Sequence, residues 1–257
     1  MATQRPSKSS SSSSSSSTNQ AFIIRPARLS DVPLLAIYGR TAYAGTVIMA
    51  FLSPHVDKYP EDLDRRFRYQ IQKRMASPRN VTVVACEASA PDVPLAYGQF
   101  SRVGKDEGAQ SFIRSRGVFT RVLLWLWRWW LYVVFTVGFR LWPDRSSDED
   151  HLREFGEWAS KDSKTYFDVE GRRERWHAQI LTVSPEWQGK GLGRKIMSVV
   201  MELARKEGVP VGLFASPVGE RLYRKLGFEM LGDFCQRPEG DEGGGGLMIW
   251  NPKDGVN

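Results

Sequence analysis

Ser184–Met197 reads SPEWQGKGLGRKIM, with Gly189, Gly191 and Gly193 at alternate positions directly ahead of an apolar stretch. Without Cβ atoms, such a turn lets a bulky partner come close to the backbone. Downstream, Ile196, Met197, Val199, Val200, Leu203 and Ala204 recur at helical spacing, which predicts a helix from near Leu192 to about Lys206, stopped by Gly208. Upstream, AQILTV (Ala178–Val183) is an apolar, β-branched run bounded by Ser184-Pro185 and reads as a buried strand. The local unit is therefore strand, glycine turn, helix.

That unit points unpaired N–H groups and the positive end of a helix dipole at one spot, an arrangement suited to a phosphate or pyrophosphate. Lys190, Arg194 and Lys195 add positive charge. Two phosphate signatures fail here. A dinucleotide fingerprint counted from Gly189 needs a small residue where Arg194 stands, and a P-loop needs Ser or Thr where Gly191 stands.

At 257 residues, 41% hydrophobic and 25% charged, the chain can bury one good core with a large insertion. Cys86 and Cys235 are far apart and give neither a disulfide framework nor metal spacing; both read as structural and fit a reducing, cytoplasmic compartment. His55, His151 and His177 are scattered, so no metal site is expected. The net charge of +7 raises nucleic-acid binding, but the basic residues are spread along the chain without a docking motif, and no nucleic-acid partner is expected.

From Met1 to Gln20 the chain is polar, with serine unbroken from Ser9 to Ser17, and reads as a disordered tail. It lacks the apolar segment of a secretory signal, while its Ser-rich, acid-free composition leaves a transit peptide open. Folded sequence begins with a strand at Phe22–Arg25 and a helix capped by Ser30 or Asp31, with Pro33 in its first turn. A second helix is expected over about Glu61–Ala76. Strands at Val81–Ala88 and Pro94–Val103 form a hairpin through Ala90–Asp92. After the glycine-turn helix come a strand (Val209–Ser216), a short helix (Gly219–Leu226) and two closing strands, GFEMLGDFC and GLMIW.

In this order, from Ala21 to Trp250 and apart from one long insertion, the elements resemble the GNAT superfamily of N-acetyltransferases. LTVSPEWQGKGLG is similar to that family's Gln/Arg-x-x-Gly-x-Gly/Ala motif, with Gln188, Gly191 and Gly193. ERLYRKLGFEMLG resembles its short tyrosine-bearing helix, with Tyr223 and then Gly227-Phe228. Ala215-Ser216-Pro217 resembles a fungal subgroup with ASP at this point. The resemblance implies an α/β (α+β) fold: a mixed, largely antiparallel sheet with helices on both faces and a hydrophobic helical insertion. It assigns residues 21–257 to one acetyltransferase domain, the insertion running from about Gly104 to Gly171.

The resemblance further implies acetyl-CoA as acyl donor, in a V-shaped opening between two splayed strands. Its pyrophosphate would lie on the turn of Gln188, Gly189, Lys190, Gly191, Leu192, Gly193 and Arg194, and its pantetheine arm along Leu181, Thr182 and Val183. Ser216 stands where the family often has a cofactor-binding asparagine. The implied chemistry is direct attack of an amine, that of a small molecule, on the thioester, with Tyr223 protonating the departing thiolate. A lysine-like ammonium, pKa about 10.4, must first lose a proton. Glu174, His177 and Gln179 lie on or just before the strand whose end meets the acetyl group, and His177, sharing a strand face with Gln179, is the candidate base. A non-catalytic acyl-CoA-binding or membrane-associated module is the alternative from another class.

The insertion contains VLLWLWRWWLYVVFTVGFRLW, Val122–Trp142. Its length raises a membrane, yet strands of one sheet on both sides of it could not pair across a bilayer, and Arg128 lies near its middle. A helix packed over the acceptor mouth and a helix lying in a membrane interface, which would add peripheral membrane contact, both remain open. The following DRSSDEDHLREFGEW reads as a solvated linker leading into a helix. The sequence leaves the oligomeric state open.

Overall fold

Alternation along two strands sets the layering. In the computed structural model, which describes residues 21–252, β2 (Asn80–Glu87) and β3 (Ala90–Val103) pair antiparallel. Val83, Ala85, Ala96 and Phe100 pack on one face, against α7 (Leu192–Glu207). Val84, Cys86 and Tyr97 pack on the other, against α1 (Val32–Tyr43) and α3 (Pro60–Met75). The period of two along a strand thus feeds two apolar layers from one sheet. The inner stripe of α7, Leu192, Ile196, Met197, Val200 and Ala204, follows the 3.6-residue period, and each of its larger side chains contributes about 1.5–3 kcal/mol by burial. The serine-rich stretch read as a tail, residues 1–20, lies outside the described residues.

The sheet has seven strands. With β1 (Phe22–Pro26), β4 (Arg175–Val183), β5 (Val211–Ala215), β6 (Glu229–Gly232) and β7 (Gly246–Trp250), the spatial order is β1-β2-β3-β4-β5-β7-β6. Every neighbouring pair is antiparallel except β4 with β5. The expected α/β architecture, a largely antiparallel sheet with helices on both faces, is what forms. The short helices α2 (Val47–Leu52) and α8 (Pro217–Lys225) complete the elements outside the β3–β4 connection.

Several local expectations shift. The β2–β3 turn is Ala88-Ser89, not Ala90–Asp92: Glu87 pairs with Ala90, and the register skips to Cys86 with Pro94, so Pro91–Val93 form an irregularity within β3. Neither Ser30 nor Asp31 caps α1 through its side chain. The Asp31 carboxylate instead accepts from Arg25 at 2.8 and 2.9 Å and from the Arg28 backbone N–H at 2.7 Å. Pro210 keeps β5 short, because it has no N–H to give the sheet, although its carbonyl accepts from Trp176 at 2.9 Å.

Between β3 and β4 the chain leaves the sheet through α4 (Glu107–Ser115), α5 (Val118–Leu141) and α6 (Glu149–Tyr166), the last capped by the Asp148 carboxylate on the N–H groups of Asp150 and His151. One guanidinium holds the root of this excursion. Arg102, fully buried near the end of β3, donates to Glu207 at the end of α7 (2.6 Å) and to Asp106, the N-cap of α4 (2.5 Å). Glu174, immediately before β4, lies 3.8 Å away and accepts from the Lys105 backbone N–H at 3.0 Å. Trp176 Nε1 donates to the same Glu207 at 3.0 Å. Arg102→Met should therefore leave carboxylates facing an apolar pocket and cost about 3 kcal/mol, the low end for a broken buried pair because the acids keep partial contact with water. Urea denaturation of both proteins measures the loss.

Candidate active site

β4 and β5 pair over three positions, Trp176 with Val211, His177 with Gly212 and Ala178 with Leu213, and then part. β5 continues against β7 as far as Ala215 with Gly246, while β4 continues against β3 as far as Val183 with Ala96. From Gln179 onward, the edge of β4 that faces away from β3 has no strand partner. A bulge reinforces the parting, for Gln99 pairs with Ile180 and Phe100 with Ala178, so Gln179 is the extra residue and is exposed. The bulge also overturns the expected alternation. Ile180, not Gln179, joins the face towards α1 and α3, while Leu181 and Val183 join Ala178 on the α7 face.

The open edge runs straight into the glycine turn. The backbone N–H groups from Gly189 to Arg194 have no protein acceptor among the described residues, and no side chain caps α7. Gly189 (φ 76°) and Gly191 (φ 83°) hold the left-handed conformation that exposes those groups, with no atom within 4 Å of where a Cβ would sit. Gly193 serves a different end. It lies inside the first turn of α7, where a Cβ would come 2.9 Å from Leu222 Cδ2 of α8 and 3.8 Å from Leu181 and Val183 of β4. It is the contact point of three elements rather than part of the exposed cradle. Gln188 Nε2 donates to the Val183 carbonyl at 3.3 Å, tying the turn to the strand end, and Lys190 lies 4.0 Å over the Trp187 ring.

α8 brings in Tyr223, buried against Phe228 with ring centroids 5.7 Å apart. Burial, with Tyr43 nearby, pushes its phenol well above the usual tyrosine range, so it stays protonated through neutral and alkaline pH. Ser216 Oγ is the N-cap of α8, accepting from the Gly219 N–H at 3.2 Å and keeping a second lone pair and its own O–H free for a ligand. His177 stands where the strands part, its ring against the edges of Phe167 (5.6 Å) and Phe214 (5.4 Å). Its Nδ1 is buried without a partner. Burial, helped by Arg175 and Arg74, pushes its pKa down to about 3, which makes the imidazole a weak base. Glu174 lies immediately before β4, where its carboxylate accepts from the Lys105 N–H at the root of the excursion, away from the free edge of β4.

With this geometry in place, similarity to known proteins becomes informative. The family described as "Acetyltransferase (GNAT) domain" matches residues 156–230, which span β4, the glycine turn, α7, β5 and α8. Over those residues the chain matches a GNAT acetyltransferase domain. A protein of Stachybotrys chartarum named "Acetyltransferase" is 25% identical over 253 residues, covering 95% of this chain and 94% of its own. In fold, the acetyltransferase is similar to the histone acetyltransferase HPA2 and related acetyltransferase of Corynebacterium glutamicum (TM-score 0.54, 18% identity, 90% of this chain and 96% of that one). It is also similar to the C-terminal condensation domain of Ebony, solved with beta-alanyl-dopamine (TM-score 0.57, 12% identity, 90% and 99%).

The sequence reading missed a polar group on the α1/α3 face of the acetyltransferase. Gln99, fully buried in β3, donates to the Ile71 carbonyl (3.2 Å) and to Thr82 Oγ1 (3.1 Å), and accepts from Arg74 (3.3 Å). No carboxylate pairs with Arg74 among the described residues, and the buried Tyr97 hydroxyl has no partner. The one signal in the sequence was a glutamine inside the apolar run LAYGQF. Because His177 binds a proton in the unfolded chain near its ordinary pKa but in the folded one only near 3, folding stability should fall as pH drops from about 6.5 towards 3. His177→Gln should flatten that acid limb in urea denaturation at stepped pH.

Proposed function

We propose that this chain is an acetyl-CoA-dependent N-acyltransferase that moves an acetyl group to an amine, that of a small molecule, by direct attack on the thioester. The observation that carries this reading is the parting of β4 from β5 onto a turn of unpartnered amides. An extended pantetheine arm suits the free edge of β4 at Leu181, Thr182 and Val183, as an added strand would. The pyrophosphate suits the N–H groups of Gly189 to Arg194, at the positive end of the α7 dipole, with Lys190 and Arg194 exposed beside it.

In the proposed reaction the amine nitrogen bonds to the thioester carbon, loses its proton, and the carbon–sulfur bond breaks. Tyr223 donates its phenolic proton to the departing thiolate and regains one from water. The raised pKa of Tyr223 keeps that proton in place at the pH of the reaction. His177, with a pKa of about 3, suits a hydrogen bond that orients the amine, and the amine proton passes to solvent. Most of the acceleration is assigned to holding donor and acceptor in register.

Incubation with acetyl-CoA and a panel of amines tests this, by following thiol release. CoA should appear in proportion to acceptor; saturable acetyl-CoA binding without thiol release would instead identify a binding module. Tyr223→Phe keeps the ring and should lower kcat on the order of 10²-fold with acetyl-CoA affinity nearly unchanged. Across pH, kcat/KM should show no limb near pH 6.5 and should rise towards the pKa of the acceptor amine, since neither His177 nor Tyr223 titrates between. Gly191→Val places a branched side chain at φ 83° over the amides, and calorimetry should show acetyl-CoA binding severely weakened.

A further inference from the structure

α5 turns most of its apolar surface to solvent. Its stripe towards the body, Leu124, Trp127, Leu131, Phe135 and Phe139, follows helical spacing, but only Leu131 is buried. Phe135 and Phe139 seat on Tyr69 of α3, at 4.0 and 6.0 Å between centroids. Opposite them, Phe119, Val122, Trp129, Trp130, Val133 and Val137 are exposed, from 36% for Val133 to 76% for Phe119. By length and composition the helix could cross a membrane. Soluble monomers rarely expose apolar surface on this scale without a use for it.

Its anchoring decides against crossing. Just ahead of α5, Arg116 donates to the Asn80 carbonyl at the start of β2 (2.5 Å); just beyond it, Arg65 of α3 donates to the carbonyls of Trp142 (2.9 Å) and Pro143 (3.2 Å). Both ends of a helix about 36 Å long are therefore tied to one body, and the helix lies along it. A crossing would put those ends on opposite sides of a bilayer and tear the β3–β4 pairing apart.

The charges name the occupant. α5 contains no acidic residue and no lysine; its charges are Arg121, Arg128 and Arg140. At 3.6 residues per turn, Arg121 and Arg128 fall on one shoulder beside the body-facing stripe, at the border of the apolar face, and Arg140 falls in line with Val133 at the C-terminal end of that face, where its stem can reach the headgroups. In a second copy, α5 holds no acid to answer these arginines. Anionic headgroups answer both arginines, and tryptophans suit the boundary between headgroup and chain. We propose that α5 docks on an anionic lipid bilayer, lying in its plane with the Trp129–Val133 face among the acyl chains and Arg121 and Arg128 at the headgroups.

Flotation of the full chain with phosphatidylcholine vesicles, with and without phosphatidylglycerol, tests this. The chain should float with the anionic vesicles, less so as salt rises, and brominated acyl chains should quench its tryptophan emission. Carbonate should strip it off. Trp129→Gln with Val133→Gln, both at exposed positions, should abolish flotation with unfolding temperature unchanged. Arg121→Gln with Arg128→Gln should lower partitioning about 30-fold, from roughly 1 kcal/mol per surface arginine. Failure of the wild type to float, resistance to carbonate, or a stable dimer that shields the tryptophans would each overturn the proposal.

Discussion

Pairing between β4 and β5 stops at Ala178 and Leu213, and the rest of the site depends on where it stops. Each strand is committed elsewhere: β5 to β7 over its whole length, β4 to β3 as far as Val183. Neighbouring strands in a sheet rotate by roughly 20–25° relative to one another, and the bulge at Gln179 adds to that rotation, so the two cannot be held together past the third pair. The cost is a run of strand-edge polar groups inside the sheet rather than at its rim. In the proposed function that cost is recovered when an extended ligand supplies the missing ladder. Gly193 then fixes the direction of the opening, because only a residue without a side chain lets α7, α8 and the end of β4 converge so closely.

What the sequence made legible was local. Gly191 and Gly208 could be placed because a left-handed residue at each end of a helix and a 3.6-residue apolar period are written within a few positions of each other. The strand, turn and helix around them followed. The bulge at Gln179 was not legible, since it is defined by the register of β4 against Gln99 and Phe100, some eighty positions away. Ala90–Asp92 misled for the opposite reason. Proline and aspartate carry turn chemistry, but the pairing of Glu87 with Ala90 absorbs them into β3. Arg74 and Arg102 read as ordinary charged positions, and only the fold reveals that they are enclosed and what each meets.

α7 and α5 show two fates for apolar helical sequence in one chain. α7 is amphipathic with one stripe of the right width, and the sheet consumes it. α5 is apolar nearly all round, so a single neighbouring helix, α3, leaves most of it unmatched. The difference is visible in the sequence as periodicity against its absence. Where the unmatched surface points is a property of the anchors at Asn80 and Arg65.

The Arg102 cluster makes the β3–β4 connection a plug-in module. Because Gly104–Asp106 leaves and Glu174 returns through the same knot of ion pairs, with the Lys105 amide closing on the Glu174 carboxylate, the sheet registers on either side are set before the excursion begins. The contour length beyond the knot is then decoupled from the geometry of the fold. A lineage could lengthen, trim or exchange the helices between these positions while the register of β3 against β4 and the placement of the glycine turn stayed as they are.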